Sequence, residues 1–278
     1  MEKISINSPF RYAGGKFYAR KLILEHVPDH NSYCEPLAGG ASIFFAKPKV
    51  KQNHLNDLDI ELMRVYKVIR DEPKALINFL KDIPALKEMH NYYKNEFKPK
   101  NELEKAGRYY FLNRISYSGI MKSQNCYWGY GDKYSMKPEN WPSNIMRTSK
   151  KLQKVKLTNL DFEEVIDSLK DGTLIFVDPP YFNADQDKFY NCIFTQDDHF
   201  RLERVLRRNK DRLLIFLTYD DCYEIRRLYT WVVGMYDKSW NYCINRTDDQ
   251  KNKIKRKGKR YKGNELFLLN YKSNGYLI

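Results

Sequence analysis

The chain has 278 residues, 42% of them apolar, and its 49 lysines and arginines outnumber its 35 acidic residues to give a net charge of +14. No window reaches the roughly 18 apolar residues of a membrane span, and the start MEKISINSPF lacks the apolar centre of a signal peptide, so we expect a soluble, cytoplasmic protein with no membrane partner. The positive charge favours a polyanion such as nucleic acid as a partner, although a lysine-rich composition without such a ligand would give the same value.

The first 72 residues alternate between short strands and helices. Apolar residues at helical spacing predict helices over 18–27, 41–47 and 58–71, and short apolar runs predict strands over 32–37 and 52–57. Strands that alternate with helices are typical of a parallel sheet covered by helices. The chain therefore begins as an α/β domain.

This alternation stops between 73 and 151. The segment is helical or irregular and rich in tyrosine, asparagine and lysine, and its Gly-rich aromatic stretch CYWGYGDKYSM predicts a hairpin over 126–136. The alternation resumes with KVKLTNLDFEEVIDSL and TLIFVDPPY, followed by a helix that starts at Thr195 and Asp198 and a strand in RLLIFLTYD. We therefore predict one α/β domain, 1–72 and 152–278, split by an insertion, 73–151.

Two more predicted strands, WVVGMY and NELFLLNY, flank the charged run RTDDQKNKIKRKGKR near the C-terminus. Blocks of like charge are usually solvated loops, whereas a basic loop beside a nucleic-acid site contacts phosphates. The sequence leaves the role of the basic part, 251–260, open between these two.

The stretch FVDPPYF places an acid, two prolines and a tyrosine directly after a predicted buried strand. Ligands of open α/β sheets bind beyond the carboxyl ends of the strands, which is the expected position of 178–181. Prolines cannot pair with a neighbouring backbone, so Asp178 and the Pro179 carbonyl can accept from a ligand while Tyr181 offers a stacking face. An exocyclic amino group on a nucleobase fits these acceptors, and the electrophile would come from a bound cofactor. The alternative is a proline-rich loop whose aspartate caps another segment and whose tyrosine packs.

In the motif YCEPLAGGAS, a predicted strand ends in Glu35 and is followed by Gly39 and Gly40 before a helix. Such a turn lets a ligand approach the backbone at a helix N-terminus. Neither this motif nor RYAGGK matches the glycine patterns of dinucleotide- or ATP-binding loops. Asp57, at the end of the strand in LNDLD, is placed to accept from ribose hydroxyls or to cap the helix that follows it. The five cysteines lack a CxxC pair and the five histidines are scattered, so no metal site is expected.

Five motifs occur along the chain in this order: FRYAGGK, YCEPLAGGASIFF, LNDLD, YYFLNRISYSGIMK and FVDPPYF. Together they resemble the motifs of the Dam-type, adenine-specific DNA methyltransferase family, and the resemblance covers nearly the whole chain. The resemblance implies a Rossmann-like, S-adenosylmethionine-dependent methyltransferase sheet with helices on both faces, and a mainly helical target-recognition insertion with a β-hairpin. It also implies methyl transfer from S-adenosylmethionine to the amino group of adenine in duplex DNA, by base flipping and direct attack. The setting would be a prokaryotic or phage-encoded restriction-modification or DNA-marking system, which leaves a cognate restriction endonuclease open as a partner.

The resemblance also implies roles for individual residues. The residues that would hold the methyl donor are Tyr12, Lys16, Glu35, Pro36, Gly39, Gly40, Asp57 and Asp178. Among these, Lys16 would face the methionine carboxylate and Asp57 the ribose. The catalytic residues would be Asp178, Pro179, Pro180 and Tyr181. The residues that would contact DNA are Arg114, Tyr117, Lys122, Tyr127 and Trp128. The alternatives are a surface position for Lys16 and a buried core position for Tyr117.

Two departures from the family pattern affect the DNA target. Lys122 replaces the arginine of members that read GATC, and Tyr127-Trp128-Gly129 replaces their Pro-Phe-Gly, so no recognition sequence is assigned. An amino group of RNA or of cytosine stays open as the acceptor, because the acceptors of 178–181 suit amines in general. A DNA-binding protein without catalysis is the remaining alternative. The absence of a Pro-Cys dipeptide argues against methylation of a cytosine ring carbon.

Overall fold

Seven strands form one mixed sheet in the computed structural model, which describes residues 5–131, 135–183, 186, 191–241 and 262–273. The strands are β1 (Ser32–Glu35), β2 (Gln52–Asn56), β3 (Lys156–Thr158), β4 (Leu174–Val177), β5 (Leu214–Asp220), β6 (Gly234–Asn241) and β7 (Lys262–Leu269). Their order is β3-β2-β1-β4-β5-β7-β6. The first five strands in this order are parallel, and β7 runs antiparallel to both of its neighbours. The predicted α/β class with a mostly parallel sheet is confirmed.

Ten α-helices lie within the described residues. They are α1 (Arg20–Glu25), α2 (Ser42–Ala46), α3 (Ile60–Asp71), α4 (Pro73–Leu80), α5 (Lys87–Asn95), α6 (Glu102–Ile115), α7 (Trp141–Leu152), α8 (Phe162–Asp167), α9 (Gln196–Arg208) and α10 (Tyr223–Leu228). The helices predicted near the N-terminus correspond to α1, α2 and α3. Helix α9 begins where the sequence predicted, because Thr195 and Asp198 form a reciprocal capping box.

The sheet carries helices on both faces. Successive side chains of its central strand, β4, point to opposite faces, so this strand contacts both layers. Leu174 and Phe176 of β4 join the apolar cluster on one face, and Ile175 and Val177 join the cluster on the other. Helices α1, α2 and α3 contribute to the first cluster, and α8, α9 and α10 to the second. A strand buried on both faces requires a continuous apolar run, which is why TLIFV has no polar alternation.

Residues 73–151, the predicted insertion, contain helices α4 to α7. Helices α6 and α7 pack against α3, and their Tyr110 and Trp141 belong to the same buried cluster as Phe44 and Tyr66 of the sheet's own helices. The insertion and the sheet therefore share one core. In the described part of 126–136, a single antiparallel bridge joins Trp128 to Ser116 and no strand is present, so the predicted hairpin is not confirmed.

Candidate active site

A cavity of about 270 Å³ opens at the carboxyl ends of the neighbouring strands β2, β1 and β4. Its walls include the segments that follow these strands, 57–59, 37–43 and 178–181, and the N-terminal segment 12–16. The predicted residues that line it are Tyr12, Lys16, Glu35, Gly39, Gly40, Asp57, Asp178, Pro179, Pro180 and Tyr181. The fold thus brings together four motifs that are far apart in the sequence.

Asp178 follows β4 directly and is held through one of its two carboxylate oxygens. Its Oδ1 accepts hydrogen bonds from Lys16 Nζ at 2.5 Å and from Thr218 Oγ1 at 2.7 Å. Its Oδ2 has no hydrogen-bond partner among the described residues, and the side chain keeps 21% of its surface exposed. Asp178 is therefore fixed in orientation and still has an oxygen for a ligand in the cavity.

Lys16 lies inside the site, so its alternative as a surface lysine is wrong: it is only 3% exposed. Its ammonium also donates to the Gly14 carbonyl at 3.2 Å and lies 5.0 Å from the centre of the Tyr181 ring. Burial alone would lower the pKa of Lys16, but the charges of Asp178 and Glu265 and the hydrogen bond that Lys16 donates to Asp178 raise it above its usual value. Lys16 therefore carries a positive charge at neutral pH, next to the carboxylate of Asp178.

Two further polar residues of the site, Thr218 and Glu265, lie outside the motifs of the sequence. Both side chains are fully buried, and Glu265 Oε2 lies 3.8 Å from Lys16 Nζ. Thr218 belongs to β5 and Glu265 to β7, and β5 pairs with both β4 and β7, so the strand order brings them close to Asp178. The available signal was a polar residue at the edge of an apolar run: Thr218 directly follows LIFL, and Glu265 directly precedes LFLL.

Glu35, the last residue of β1, is buried at the wall of the cavity. Its Oε1 accepts hydrogen bonds from Tyr33 OH and from the Phe44 amide in the first turn of α2, both at 2.7 Å. Burial raises the pKa of Glu35 to about 7; these two hydrogen bonds oppose the rise, and the charge of Asp178 adds to it. Glu35 thus ties the end of β1 to the beginning of α2.

The glycine turn after β1 packs its backbone directly against Tyr12. A Cβ atom at Gly39 would lie 2.7 Å from Cε1 of the Tyr12 ring, and one at Gly40 would lie 2.9 Å from Tyr12 Cβ. Gly39 also has a φ of +46°, which side chains disfavour. Asp57 Oδ2 accepts from the Gly39 amide at 2.8 Å, and the Tyr66 hydroxyl donates to the Gly39 carbonyl at 2.9 Å. A side chain at either glycine would therefore displace Tyr12 from the cavity wall.

Asp57 supports this turn, and the N-cap of α3 is Asp59. The Asp59 side chain accepts from the amides of Glu61 and Leu62, so the capping alternative for Asp57 is wrong. Asp57 Oδ1 accepts instead from the Asp59 amide at 2.9 Å. Burial raises the pKa of Asp57 to about 6, although the amide hydrogen bonds from Asp59 and Gly39 lower it.

Two tyrosines of the insertion form an exposed aromatic surface. Tyr117 and Tyr127 are 53% and 60% exposed, and the Tyr117 amide donates to the Tyr127 carbonyl at 2.8 Å. The ammonium of Lys94 lies 5.6 Å from the centre of the Tyr127 ring. Lys122 and Trp128 are partly exposed in the same segment. The buried alternative for Tyr117 is therefore wrong.

The sequence profile of the D12 class N6 adenine-specific DNA methyltransferases matches residues 12–244, which is most of the chain. The chain belongs to this family. It is therefore an adenine-specific DNA methyltransferase by family, and its substrate is DNA. The seven-stranded mixed sheet with helices agrees with the fold that this family implies.

Three relatives from different sources align along most of the methyltransferase. The type II methyltransferase M.CviBI of a Paramecium bursaria Chlorella virus is 27% identical over 84% of this chain and 91% of its own length. The type II methyltransferase M.MjaIII of Methanocaldococcus jannaschii is 27% identical over 72% of this chain and 79% of its own length. A DNA adenine methylase of Vibrio cholerae is 23% identical over 88% of this chain and 92% of its own length.

Two residues of the predicted set do not take the expected position in the methyltransferase. Arg114 is only 5% exposed, and its guanidinium donates to the Pro9 carbonyl at 3.2 Å, so it is not available for a DNA contact in this conformation. Burial lowers its pKa. Pro36 does not line the cavity, and its carbonyl accepts from Asn56 Nδ2 at 2.9 Å.

The basic run 251–260 lies outside the described residues. None of the described helices is long and apolar enough to cross a membrane.

Proposed function

We propose that this methyltransferase moves a methyl group from S-adenosylmethionine to the amino group of an adenine flipped out of duplex DNA. The observation that carries the proposal is that 178–181 and the glycine turn 39–40 open onto one cavity at the carboxyl end of the sheet. A donor held by the turn would then lie beside an acceptor held by Asp178. The sheet provides this arrangement because β1 and β4 are direct neighbours.

The residues of the cavity fit S-adenosylmethionine. Gly39 and Gly40 line the cavity without side chains, so a ligand can lie close to their backbone. Asp57 uses each carboxylate oxygen once, and each keeps a second lone pair for ribose hydroxyls. Lys16 supplies the positive charge that a methionine carboxylate requires. When bound, S-adenosylmethionine supplies an electrophilic methyl group on a positively charged sulfur.

Asp178, Pro179 and Tyr181 hold the acceptor in this proposal. The adenine amino group would donate one hydrogen to Asp178 Oδ2 and the other to the Pro179 carbonyl, while its ring stacks on Tyr181. These hydrogen bonds draw electron density onto the amino nitrogen, which is otherwise a weak nucleophile because its lone pair is delocalised. Lys16 and Thr218 fix the other oxygen of Asp178, so the acceptor geometry exists before the base arrives.

An adenine inside a duplex cannot reach this cavity, so the base must be extruded at a cost of a few kcal/mol. The exposed rings of Tyr117 and Tyr127 are suited to stack on neighbouring bases, and Lys122 to contact the DNA backbone or a base edge. Two relatives are named type II methyltransferases, which supports a place in a restriction-modification pair with a cognate endonuclease.

Methylation of duplex DNA by the purified protein tests the proposal. With S-adenosylmethionine, sequencing of modified bases should find N6-methyladenine within one short sequence. Asp178→Ala should lower the rate at least about 10³-fold, because it removes the acceptor that activates the nucleophile. Asp178→Asn should keep more activity than the alanine variant, since its amide retains one acceptor oxygen.

The matched control is Asp171→Ala, which removes an exposed acid from the loop before β4, at the opposite edge of the sheet. It should leave the rate unchanged. Near-normal turnover by Asp178→Ala would remove the assigned role. Methylation confined to RNA or to cytosine would instead establish one of the alternative acceptors.

A further inference from the structure

We infer that Asn113 is a positioning residue that couples binding in the cavity to binding of DNA on the insertion. The inference rests on the proposed function, because it takes the cavity as the cofactor site and the Tyr117 surface as the DNA site. Asn113 lies in the last turns of α6 and is fully buried. It touches neither proposed ligand, so its effect would pass through the segments that it joins.

The side-chain amide of Asn113 joins two segments that are about a hundred residues apart. Its Oδ1 accepts from the Arg11 amide at 3.0 Å, and its Nδ2 donates to the Arg11 carbonyl at 2.8 Å. The same Nδ2 donates to the Gly119 carbonyl at 3.1 Å. One buried side chain thus pairs with both backbone groups of Arg11 and with the loop that follows α6.

Each of the two segments leads directly to one of the proposed binding sites. Arg11 precedes Tyr12, whose ring packs on the glycine turn and lines the cavity. Gly119 ends the short 3-10 turn Tyr117–Gly119, which presents the exposed ring of Tyr117. A movement of residues 9–11, which precede Tyr12, would therefore also move the backbone that carries Tyr117.

The two segments also touch directly. A Cβ atom at Gly119 would lie 2.4 Å from the Arg11 carbonyl oxygen, and Gly119 has a φ of +71°. Arg11 Nη1 donates to the Ser116 carbonyl at 3.3 Å, and Arg114 donates to the Pro9 carbonyl. Residues 9–11 are therefore docked on the end of α6 and its loop by several hydrogen bonds, with Asn113 at the centre.

This connection has a thermodynamic consequence. A ligand that orders residues 12–16 also orders the turn 117–119 through Asn113, so the second ligand has less freedom left to remove. The coupling must be reciprocal: cofactor and DNA each tighten the binding of the other by the same factor. Without the amide of Asn113, each site can still bind its own ligand, but the two would bind independently.

The coupling factor is the ratio of DNA dissociation constants without and with S-adenosylhomocysteine, an unreactive analogue of the donor. For the wild-type protein we expect a factor of about 5 or more, within the usual range for coupled sites. Asn113→Asp keeps the size of the side chain and the acceptor for the Arg11 amide but loses both donated hydrogen bonds. Its coupling factor should fall to within about twofold of 1, with the affinity for S-adenosylhomocysteine alone changed much less.

Gly119→Ala disturbs the contact between Gly119 and Arg11, because its Cβ atom would clash with the Arg11 carbonyl oxygen. It should reduce the coupling factor in the same way, so the test does not depend on one variant folding. The control is Asn144→Ala, which removes a buried asparagine of α7 that accepts from Tyr110 OH at 3.3 Å. The control should keep the wild-type factor. A wild-type factor of 1, or full coupling in folded Asn113→Asp and Gly119→Ala, would overturn the inference. Failure of the wild-type protein to bind S-adenosylhomocysteine would instead count against the proposed function.

Discussion

At the scale of single residues, the site places several ionisable groups in a buried environment, and Glu35 illustrates the consequence. A buried carboxylate loses its hydration, so folding favours the protonated acid. The pKa of Glu35 rises from 4.5 to about 7 for this reason, although Tyr33 and Phe44 donate hydrogen bonds to it. Over that interval the unfolded chain releases the proton and the folded protein retains it. Glu35 therefore makes the folded state progressively less stable as the pH rises from about 4.5 to 7.

The substitution Glu35→Gln tests this dependence of stability on pH. Glutamine keeps the oxygen that accepts from Tyr33 and Phe44 but has no proton to release. Between pH 4.5 and 7 the free energy of unfolding of the wild-type protein should fall by about 3 kcal/mol relative to that of the variant. Urea unfolding at several pH values measures this difference. The control is Glu25→Gln, at an exposed position of α1, which should run parallel to the wild type. Parallel curves for Glu35→Gln would show that Glu35 is not held as a buried acid.

At the scale of elements, the turn between β1 and α2 forms one wall of the cavity. The Gly39 amide of this turn donates a hydrogen bond to Asp57, and its glycines pack on Tyr12. Both Gly39 and Ala41 have positive φ angles. A strained backbone of this kind persists only where surrounding contacts enforce it. The turn therefore has two requirements: a left-handed backbone and the absence of a side chain. Their effects can be separated by comparing two glycine substitutions.

Gly39→Ala should violate both requirements, whereas Gly172→Ala should violate only the first. Gly172 has a φ of +74°, and a Cβ atom there would meet nothing within 4 Å. Each variant should lose about 1 kcal/mol of stability from backbone strain. Only Gly39→Ala should also displace Tyr12 and weaken binding of S-adenosylhomocysteine, by roughly tenfold or more, equivalent to about 1.4 kcal/mol. Chemical unfolding and calorimetric titration measure the two effects. Equal cofactor affinity in both variants would contradict the proposed role of the turn.

The elements that the sequence predicted well are those whose signals are local. Helix α9 follows from its capping box, and β4 follows from an apolar run that ends at Val177. The place of β7 between β5 and β6 has no local signal, because it depends on pairing between distant strands. Glu265 of β7 was missed for that reason, and Thr218 was missed because its approach to Asp178 depends on the pairing of β5 with β4. The burial of Arg114 was also unpredictable from its motif, since its partner, the Pro9 carbonyl, is 105 residues away in the chain.

At the scale of the whole molecule, the net charge of +14 favours binding of a polyanion such as DNA. Lysines and arginines that neutralise phosphates release counterions, so affinity falls as salt rises. The magnitude of that slope counts the phosphate contacts, about 0.9 for each. Charge at the cavity edge of the sheet should therefore contribute to the slope, and charge at the opposite edge should not.

The basic run 251–260 lies between β6 and β7 in the sequence, and replacing its lysines tests whether it contacts phosphates. Replacing Lys251, Lys253 and Lys255 by alanine should reduce the slope of log affinity against log salt by up to about 3, if each contacts one phosphate. The control removes the same charge from Lys51, Lys170 and Lys210, which are exposed and lie just before β2, β4 and β5, at the edge away from the cavity. Fluorescence titration of one duplex at several salt concentrations measures both slopes. A slope unchanged by the first triple variant would mean that the run is a solvated loop, and an equal loss in both variants would mean that net charge matters more than its position.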